Sequence, residues 1–356
     1  MKRVLFTGGG SAGHVVPAFP IIEALLARGV EVSYIGSNSG LEENLLRDFS
    51  LTYRGISTGK LRRYFSLENV TDVLRVFRGT WQAGRLLGQL RPQVVFSKGG
   101  FVSFPVVAAA WLRNIPVVVH ESDFTPGLAN RMSLPFCKTL CVTFVNTKPR
   151  KFRGRVVHTG TPVRRILLEG KAVRGREFLE IDQTYPVLVI TGGSLGADVL
   201  NNAVRAVLQE LTEKFVVVHV CGPGKKIGRD KPNYRQFEYL GDQWGDVLAA
   251  ADVVVSRAGA TTVYELLALG KANLLVPLSR RVSRGDQVEN AEYARNLGFS
   301  RVVEEHAFDG PKLVHEVCVL LENLDEIQDR LTGFVAPDST GLILATLEQA
   351  AGPQSG

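Results

Sequence analysis

The histidine at position 14 stands directly behind the spacing Gly8-x-Gly10-x-x-Gly13, at the end of a run from Val4 that passes through Thr7 into a glycine cluster. A strand that ends in glycines and opens a helix presents backbone N–H groups and a positive helix terminus to an anion. An imidazole in the first turn of that helix is disfavoured as a cation, and a neutral ring at a strand end can accept a proton. The plainer reading of His14 is a spacing or capping residue. The same turn recurs as VLVITGGSLGA, Val187 to Ala197. Two phosphate turns half a chain apart predict two similar nucleotide-type units facing each other across a cleft.

Other clusters carry chemistry of the same kind. The run Val117 to Asp123 sets His120, Glu121 and Asp123 at the carboxyl end of a buried strand, where open α/β sheets keep their ligands. Ser122 reads as the cap of a helix starting near Pro126. Ser97 to Ser103, SKGGFVS, is a third glycine turn. In the second half, Ser256 to Glu265, SRAGATTVYE, follows a strand with small residues that let a diphosphate approach helix N–H groups. Glu265 there can accept both hydroxyls of a ribose, or serve only as a partner of the helix dipole. Ser283 to Ala291, SRGDQVENA, gathers amides and carboxylates suited to sugar hydroxyls.

A literal GxGxxG first suggests a dinucleotide cofactor. That reading needs an Asp or Glu at the end of the second strand to hold the ribose. The chain has Gly36-Ser37-Asn38 there, which argues against it. No Asp-x-Asp and no His/Cys cluster at metal spacing occurs, so no metal is expected, and a departing diphosphate would rest on helix termini and arginines.

Two units need elements to position these residues, and the pattern supplies them. Apolar runs alternate with helical stretches: Val4–Phe6 then Ala18–Arg28, Val30–Ile35 then Leu41–Asp48, Val94–Phe96 then Val102–Trp111, Val117–His120 then Leu128–Leu134. The rhythm restarts at Val187 and continues through Val216–Val220, Phe237–Tyr239, Val253–Ser256 and Asn273–Pro277. Strand, crossover helix, strand is the mark of a parallel sheet covered on both faces. A strand at Val156–His158 and a basic helix up to Arg176 lie between the halves, with the hinge at 160–165. The expected domains are 1–163, 164–337 and a last segment, 338–356, whose helix packs back on the first.

At 356 residues, 45% of them hydrophobic, the chain can bury two cores and is not a disordered one. Its net charge of +7 fits an anionic partner: nucleotide, phospholipid surface or nucleic acid. Cys137, Cys141, Cys221 and Cys318 follow no metal or disulfide spacing and read as reduced thiols of a cytosolic protein. The first apolar run breaks at Gly8, too short for a signal peptide, and no stretch is long enough to span a bilayer.

Taken together, these motifs resemble the MurG family, peripheral membrane glycosyltransferases that add GlcNAc to lipid-linked muramyl-pentapeptide. The resemblance runs through Gly9 to His14 with Pro17, Gly99 to Ser103, His120-Glu121, Gly160 to Arg164, Gly192 to Ala197, Arg257 to Glu265, and Asp286-Gln287 with Asn290-Ala291. It implies a GT-B fold of two Rossmann-like domains, with UDP-GlcNAc held mainly by the C-terminal one and the acceptor by the N-terminal one. It implies inversion at the anomeric carbon as the muramyl 4-hydroxyl attacks and UDP leaves, without a cofactor.

On that basis His14 is the first choice for general base and Glu121 the second. Ser11, Gly13 and Asp123 fall among the substrate-binding residues of the first half. Arg164 and Ser194 are expected near the uracil and diphosphate, Glu265 on the ribose, Thr261 and Thr262 on phosphate, Asp286 and Gln287 on the GlcNAc hydroxyls, and Arg257 shaping that pocket. Asp123 stands where many members carry Asn, and Asp286 where many carry Gln.

From Arg62 to Arg91 the chain strings Arg62, Arg63, Arg75, Arg78, Arg85 and Arg91 around Leu74, Phe77, Trp81 and Leu87. Such a helix can lie on anionic lipid or turn its apolar side to a core. The lipid acceptor that the resemblance implies favours the first, a peripheral enzyme on the cytoplasmic face of the cell membrane. Rival readings are a diacylglycerol glycosyltransferase, a UDP-GlcNAc 2-epimerase of the same fold and, last, a non-catalytic binder. No nucleic-acid partner is expected.

Overall fold

The computed structural model describes residues 1–59, 68–147, 149, 152–181, 185–229 and 231–352. The chain forms two compact units, one of Met1–Pro162 with the segment from Pro337 onward, the other Val163–Ala336.

The first unit carries strands β1 (Arg3–Thr7), β2 (Glu31–Ser37), β3 (Thr52–Ile56), β4 (Val94–Ser97), β5 (Val117–Glu121), β6 (Thr139–Val142) and β7 (Arg155–His158). All pair in parallel, in the order β3-β2-β1-β4-β5-β6-β7. Its helices are α1 (Phe19–Ala27), α2 (Glu42–Leu45), α3 (Glu68–Leu90), α4 (Ser103–Leu112) and α5 (Leu128–Ser133). Strand residues divide between two apolar layers with the period of the pleat. Val4 and Phe6 join α1 residues Ile21, Ile22 and Leu25 in one layer, while Leu5 joins Leu87 of α3 and Val106 and Ala110 of α4 in the other.

The second unit repeats the plan. Strands β8 (Val187–Thr191), β9 (Val216–Val220), β10 (Tyr234–Phe237), β11 (Val253–Ser256), β12 (Ala272–Leu275) and β13 (Arg301–Val302) form a parallel sheet ordered β10-β9-β8-β11-β12-β13. Its helices are α6 (Arg165–Leu168), α7 (Ala172–Leu179), α8 (Asp198–Ala206), α9 (Leu208–Lys214), α10 (Trp244–Ala250), α11 (Ala260–Ala268), α12 (Asp286–Asn296), α13 (Gly310–Glu322) and α14 (Leu324–Thr332). The last helix, α15 (Ser339–Ala351), buries Ile343, Leu344 and Leu347 against the α1 side of the first sheet. Each such side chain contributes roughly 1.5–3 kcal/mol.

Several elements differ from the sequence pattern. The short strands β3, β6 and β13 carry little of it, and β10, Tyr234–Phe237, begins three residues before the strand read at Phe237–Tyr239. The basic helix up to Arg176 is two helices, broken around Gly170. A Cβ there would lie 2.2 Å from the Gly245 carbonyl, so α10 approaches too closely for any other residue. The helix behind the first glycine turn begins only at Phe19; Ala12–His14 and Val16–Ala18 are two 3-10 turns. Pro17 and Pro20 lack the N–H groups that an α-helical ladder from His14 would need.

Candidate active site

In each sheet the strand order reverses at one place, between β1 and β4 in the first unit and between β8 and β11 in the second. Ligands of open α/β sheets bind beyond the carboxyl ends of the strands at such points. The four turns singled out in the sequence are those that follow these four strands.

In the first unit the turns after β1 and β4 pack on each other. Gly9 N–H donates to the Gly99 carbonyl at 3.3 Å. Gly100 has φ +81°, and a Cβ there would lie 1.9 Å from the Gly9 carbonyl. Gly10 N–H donates to Glu42 Oε1 at 2.8 Å, and Ser37 Oγ donates to Glu42 Oε2 at 3.0 Å. Glu42 is fully buried. A carboxylate of the chain itself therefore takes an N–H of the first glycine turn. Sequence reasoning missed it because it sought an acid at Gly36–Asn38; the signal was the acid following Gly40, whose missing side chain makes room for the carboxylate.

His14 ends the first 3-10 turn, half-buried, with Nδ1 3.2 Å from the Lys98 carbonyl. The expectation of a neutral ring from a helix dipole loses its basis, because a three-residue turn has little dipole. The hydrogen bond takes its place: a carbonyl only accepts, so Nδ1 carries the ring proton and Nε2 is the basic nitrogen. Ser11 and Gly13 are exposed on the same turn.

Glu121, at the end of β5, is 2% exposed. Its Oε1 accepts from Asp123 N–H at 2.9 Å, and Oε2 from Gly127 N–H at 2.9 Å and Asn130 Nδ2 at 2.8 Å. Burial, then the Asp123 charge, push its carboxyl above the ordinary range, and these three donors oppose the shift. With both oxygens engaged, Glu121 holds the loop that opens α5. Its bond to Gly127 N–H fastens the residue that precedes α5, whose N-terminus has no side-chain cap, so Ser122 does not cap it as expected. Ser122 instead accepts from Lys98 Nζ at 2.8 Å. Asp123 lies half-buried in the loop beyond.

The second unit gathers most of its expected residues into one network. Arg164 Nε donates to Glu265 Oε1 at 2.9 Å and Nη2 to Oε2 at 3.2 Å. Glu265 is 5% exposed, and burial raises its carboxyl above the ordinary range while Arg164 opposes that. The N-terminus of α11 has no side-chain cap and no acid in its first turn, and Thr261 and Thr262 stand half-buried there. Ser194 is exposed on the turn after β8, which Gly196 N–H closes onto the Gly193 carbonyl at 3.0 Å.

Arg257 pairs with Glu305 and donates to the Val276 carbonyl at 3.1 Å, while Glu305 accepts from Ser279 N–H. It thus shapes the loop after β12. Gln287 Oε1 accepts from Leu278 N–H at 2.9 Å, which leaves Nε2 as the donor end of the amide. Asn290, fully buried, donates to the Ala258 carbonyl and ties α12 to the turn after β11. Asp286, the first residue of α12, lies 3.4 Å from Arg284.

Residues 4–142 match the glycosyltransferase family 28 N-terminal domain and residues 187–333 the glycosyltransferase family 28 C-terminal domain. A relative from Legionella pneumophila (strain Paris), named UDP-N-acetylglucosamine--N-acetylmuramyl-(pentapeptide) pyrophosphoryl-undecaprenol N-acetylglucosamine transferase, is 43% identical over 99% of this chain and 98% of its own. The chain belongs to the MurG family. A relative of the same name from Clostridium perfringens (strain ATCC 13124) is 45% identical over 91% of each chain. Among solved structures, Acinetobacter baumannii MurG superposes with a TM-score of 0.77 at 25% identity, covering 98% of this chain and 100% of that one. The calicheamicin glycosyltransferase CalG4, at 14% identity and TM-score 0.73 over the whole of both chains, shares the fold. The protein is therefore a GT-B glycosyltransferase, as the MurG resemblance implied.

Proposed function

We propose that the protein transfers GlcNAc from UDP-GlcNAc to the 4-hydroxyl of lipid-linked MurNAc-pentapeptide, with inversion, at the cytoplasmic face of the membrane. The observation that carries this reading is the activity for which relatives aligned across both units are named. The donor belongs to the second unit: Glu265 accepts the ribose hydroxyls, the uncapped start of α11 with Thr261 and Thr262 and the turn at Ser194 receive the diphosphate, and Gln287 Nε2 donates to a GlcNAc oxygen. The acceptor belongs to the first unit. His14 Nε2 takes the proton of the 4-hydroxyl as its oxygen bonds to the anomeric carbon. The bond from that carbon to the diphosphate oxygen breaks, and UDP carries away the electron pair, stabilised by helix N–H groups.

Attachment to lipid rests on α3 and α4. Leu74, Phe77 and Trp81 are 63–70% exposed, Trp111 and Leu112 of α4 are exposed as well, and the Arg85 guanidinium lies 5.1 Å from the Trp81 ring centre. Arg75, Arg78, Arg85 and Arg91 are exposed on the same segment, whereas Leu87 faces the core and leaves the set read as lipid-facing. Arg62 and Arg63 lie outside the described residues. Among those described, no helix is long and apolar enough to cross a membrane. Aromatics ringed by arginines suit the interface of an anionic bilayer.

Incubation with UDP-GlcNAc tests the reading. UDP should form only when the lipid-linked muramyl acceptor is present; UDP formed with diacylglycerol instead, or ManNAc formed without acceptor, overturns it.

A further inference from the structure

Lys98, the residue after β4, is 1% exposed. A buried ammonium is costly unless partnered, and its partners are two neutral groups: Nζ lies 2.8 Å from His120 Nδ1 and 2.8 Å from Ser122 Oγ. The direction of each bond follows from the far end of the chain. His120 Nε2 donates to the Gly160 carbonyl at 2.9 Å, so Nδ1 is bare and Lys98 donates to it. Burial pulls Lys98 down to about 7, against the negative charges of Glu121 and Asp123.

The backbone of the same residue meets His14. The carbonyl that receives His14 Nδ1 belongs to the Lys98–Gly99 peptide, which leads into Gly99 and Gly100 at φ +85° and +81°. Two glycines have no side chains to hold that peptide plane and cross between backbone regions at little steric cost. The restraints on that peptide and on Lys98 are the Gly99 N–H, donated to Ser97 Oγ at 3.4 Å, the Lys98 N–H, donated to the Thr7 carbonyl at 2.9 Å, and the Lys98 side chain, moored in the core.

We propose that Lys98 is a positioning residue for the transfer: moored on His120 and Ser122, it fixes the carbonyl that keeps the His14 proton on Nδ1 and Nε2 basic. The proposal rests on the reading of His14 as the base. Its test uses the full-length enzyme and two readouts: steady-state kinetics with the lipid-linked acceptor, and the ring-nitrogen NMR signature of His14, assigned with His14→Gln. Lys98→Met should lower kcat roughly 10- to 100-fold, a part of the worth of a general base. It should leave KM for UDP-GlcNAc within about twofold and turn a single Nδ1–H tautomer into a mixture. Ser122→Ala, which removes one mooring, should fall between wild type and Lys98→Met in both readouts, and Ser122→Thr should restore both.

Unchanged kcat with an unchanged tautomer in Lys98→Met overturns the proposal. So does a fall in kcat while the tautomer stays pure, because the loss is then general to the fold. If Lys98→Met does not fold, Ser122→Ala decides by the same two readouts. Full turnover in His14→Ala overturns the reading of His14, while the tautomer measurement still decides the role of Lys98.

Discussion

Replacing Arg164 by Met probes the donor side at its ion pair with the buried Glu265. Arg164 grips both oxygens of Glu265, which is 5% exposed. Breaking a buried pair by removing one partner costs about 3–5 kcal/mol. The Arg164 side chain keeps 26% exposure, so solvent already screens part of that interaction, and about 2–3 kcal/mol is the discounted figure. The unpaired Glu265 escapes that cost by taking up a proton, and a ribose that binds the carboxylate must drive the proton off again, which at 1.4 kcal/mol per decade is roughly 30- to 150-fold in the affinity for UDP. The sign of the pH dependence follows. Burial already raises Glu265 and Arg164 holds it down, so without Arg164 the carboxylate forms only at higher pH. Calorimetric titration with UDP across about pH 6 to 9 should show the variant regaining affinity as pH rises, with little change in the wild type. Arg164→Lys, a point charge without the planar fork, should fall between the two. Equal UDP affinity in wild type, Arg164→Met and Glu265→Gln at every pH would refute the reasoning.

The remaining predictions concern the base, the core and the lipid-facing helix. His14→Ala should lower kcat by roughly 10²–10⁴ and leave calorimetric UDP affinity unchanged; unchanged turnover would return His14 to a spacing role. His219 is fully buried between Tyr234 and Asn201, and burial lowers it to about 4. A depressed histidine stabilises the fold fully above its unfolded value near 6.5 and loses that contribution as pH falls toward 4, about 3 kcal/mol in all. Urea midpoints should therefore fall over that window, and more shallowly in His219→Gln. Phe77→Ser with Trp81→Ser should reduce sedimentation with anionic vesicles roughly tenfold or more, from about 1.5–3 kcal/mol per apolar side chain, with turnover of a water-soluble acceptor analogue unchanged.

What was legible in the sequence was whatever depends on local pattern. Long apolar runs such as Val187–Ile190 and Val253–Val255 are buried on both faces of a parallel sheet and read directly as strands. Arg301–Val302 is two half-buried residues and carries no period to detect. The four turns of the site were visible because glycine and small residues at strand ends are a chemical requirement of close backbone approach. The partners of the side chains were not. Glu42 reaches Gly10 across 32 residues, Arg164 reaches Glu265 across 101 and Lys98 reaches His120 across 22. Only the sheet order brings them together. His14 shows the other limit, since its place in a helix was inferred from the glycine spacing, whereas two prolines further on decide where the helical ladder can start.

Two units of one topology differ most in the charge that meets their glycine turns. In the first, Gly10 N–H is taken by Glu42, and a side chain at Gly9 or Gly40 would collide with that carboxylate, at 2.0 and 1.7 Å from the nearest oxygen. A diphosphate brought to Gly10 would meet a like charge; at 4 Å that repulsion is about 1 kcal/mol in water and about 4 kcal/mol near a protein surface. In the second, the turn after β8 closes on its own backbone, and α11 begins with neither a side-chain cap nor an acid in its first turn. An anion there meets helix N–H groups, and the acid farther along the same helix, Glu265, is paired with Arg164. This difference in electrostatics supports giving the nucleotide to the second unit, as the MurG resemblance implied, and the glycine spacing alone, nearly the same in both halves, does not contain it.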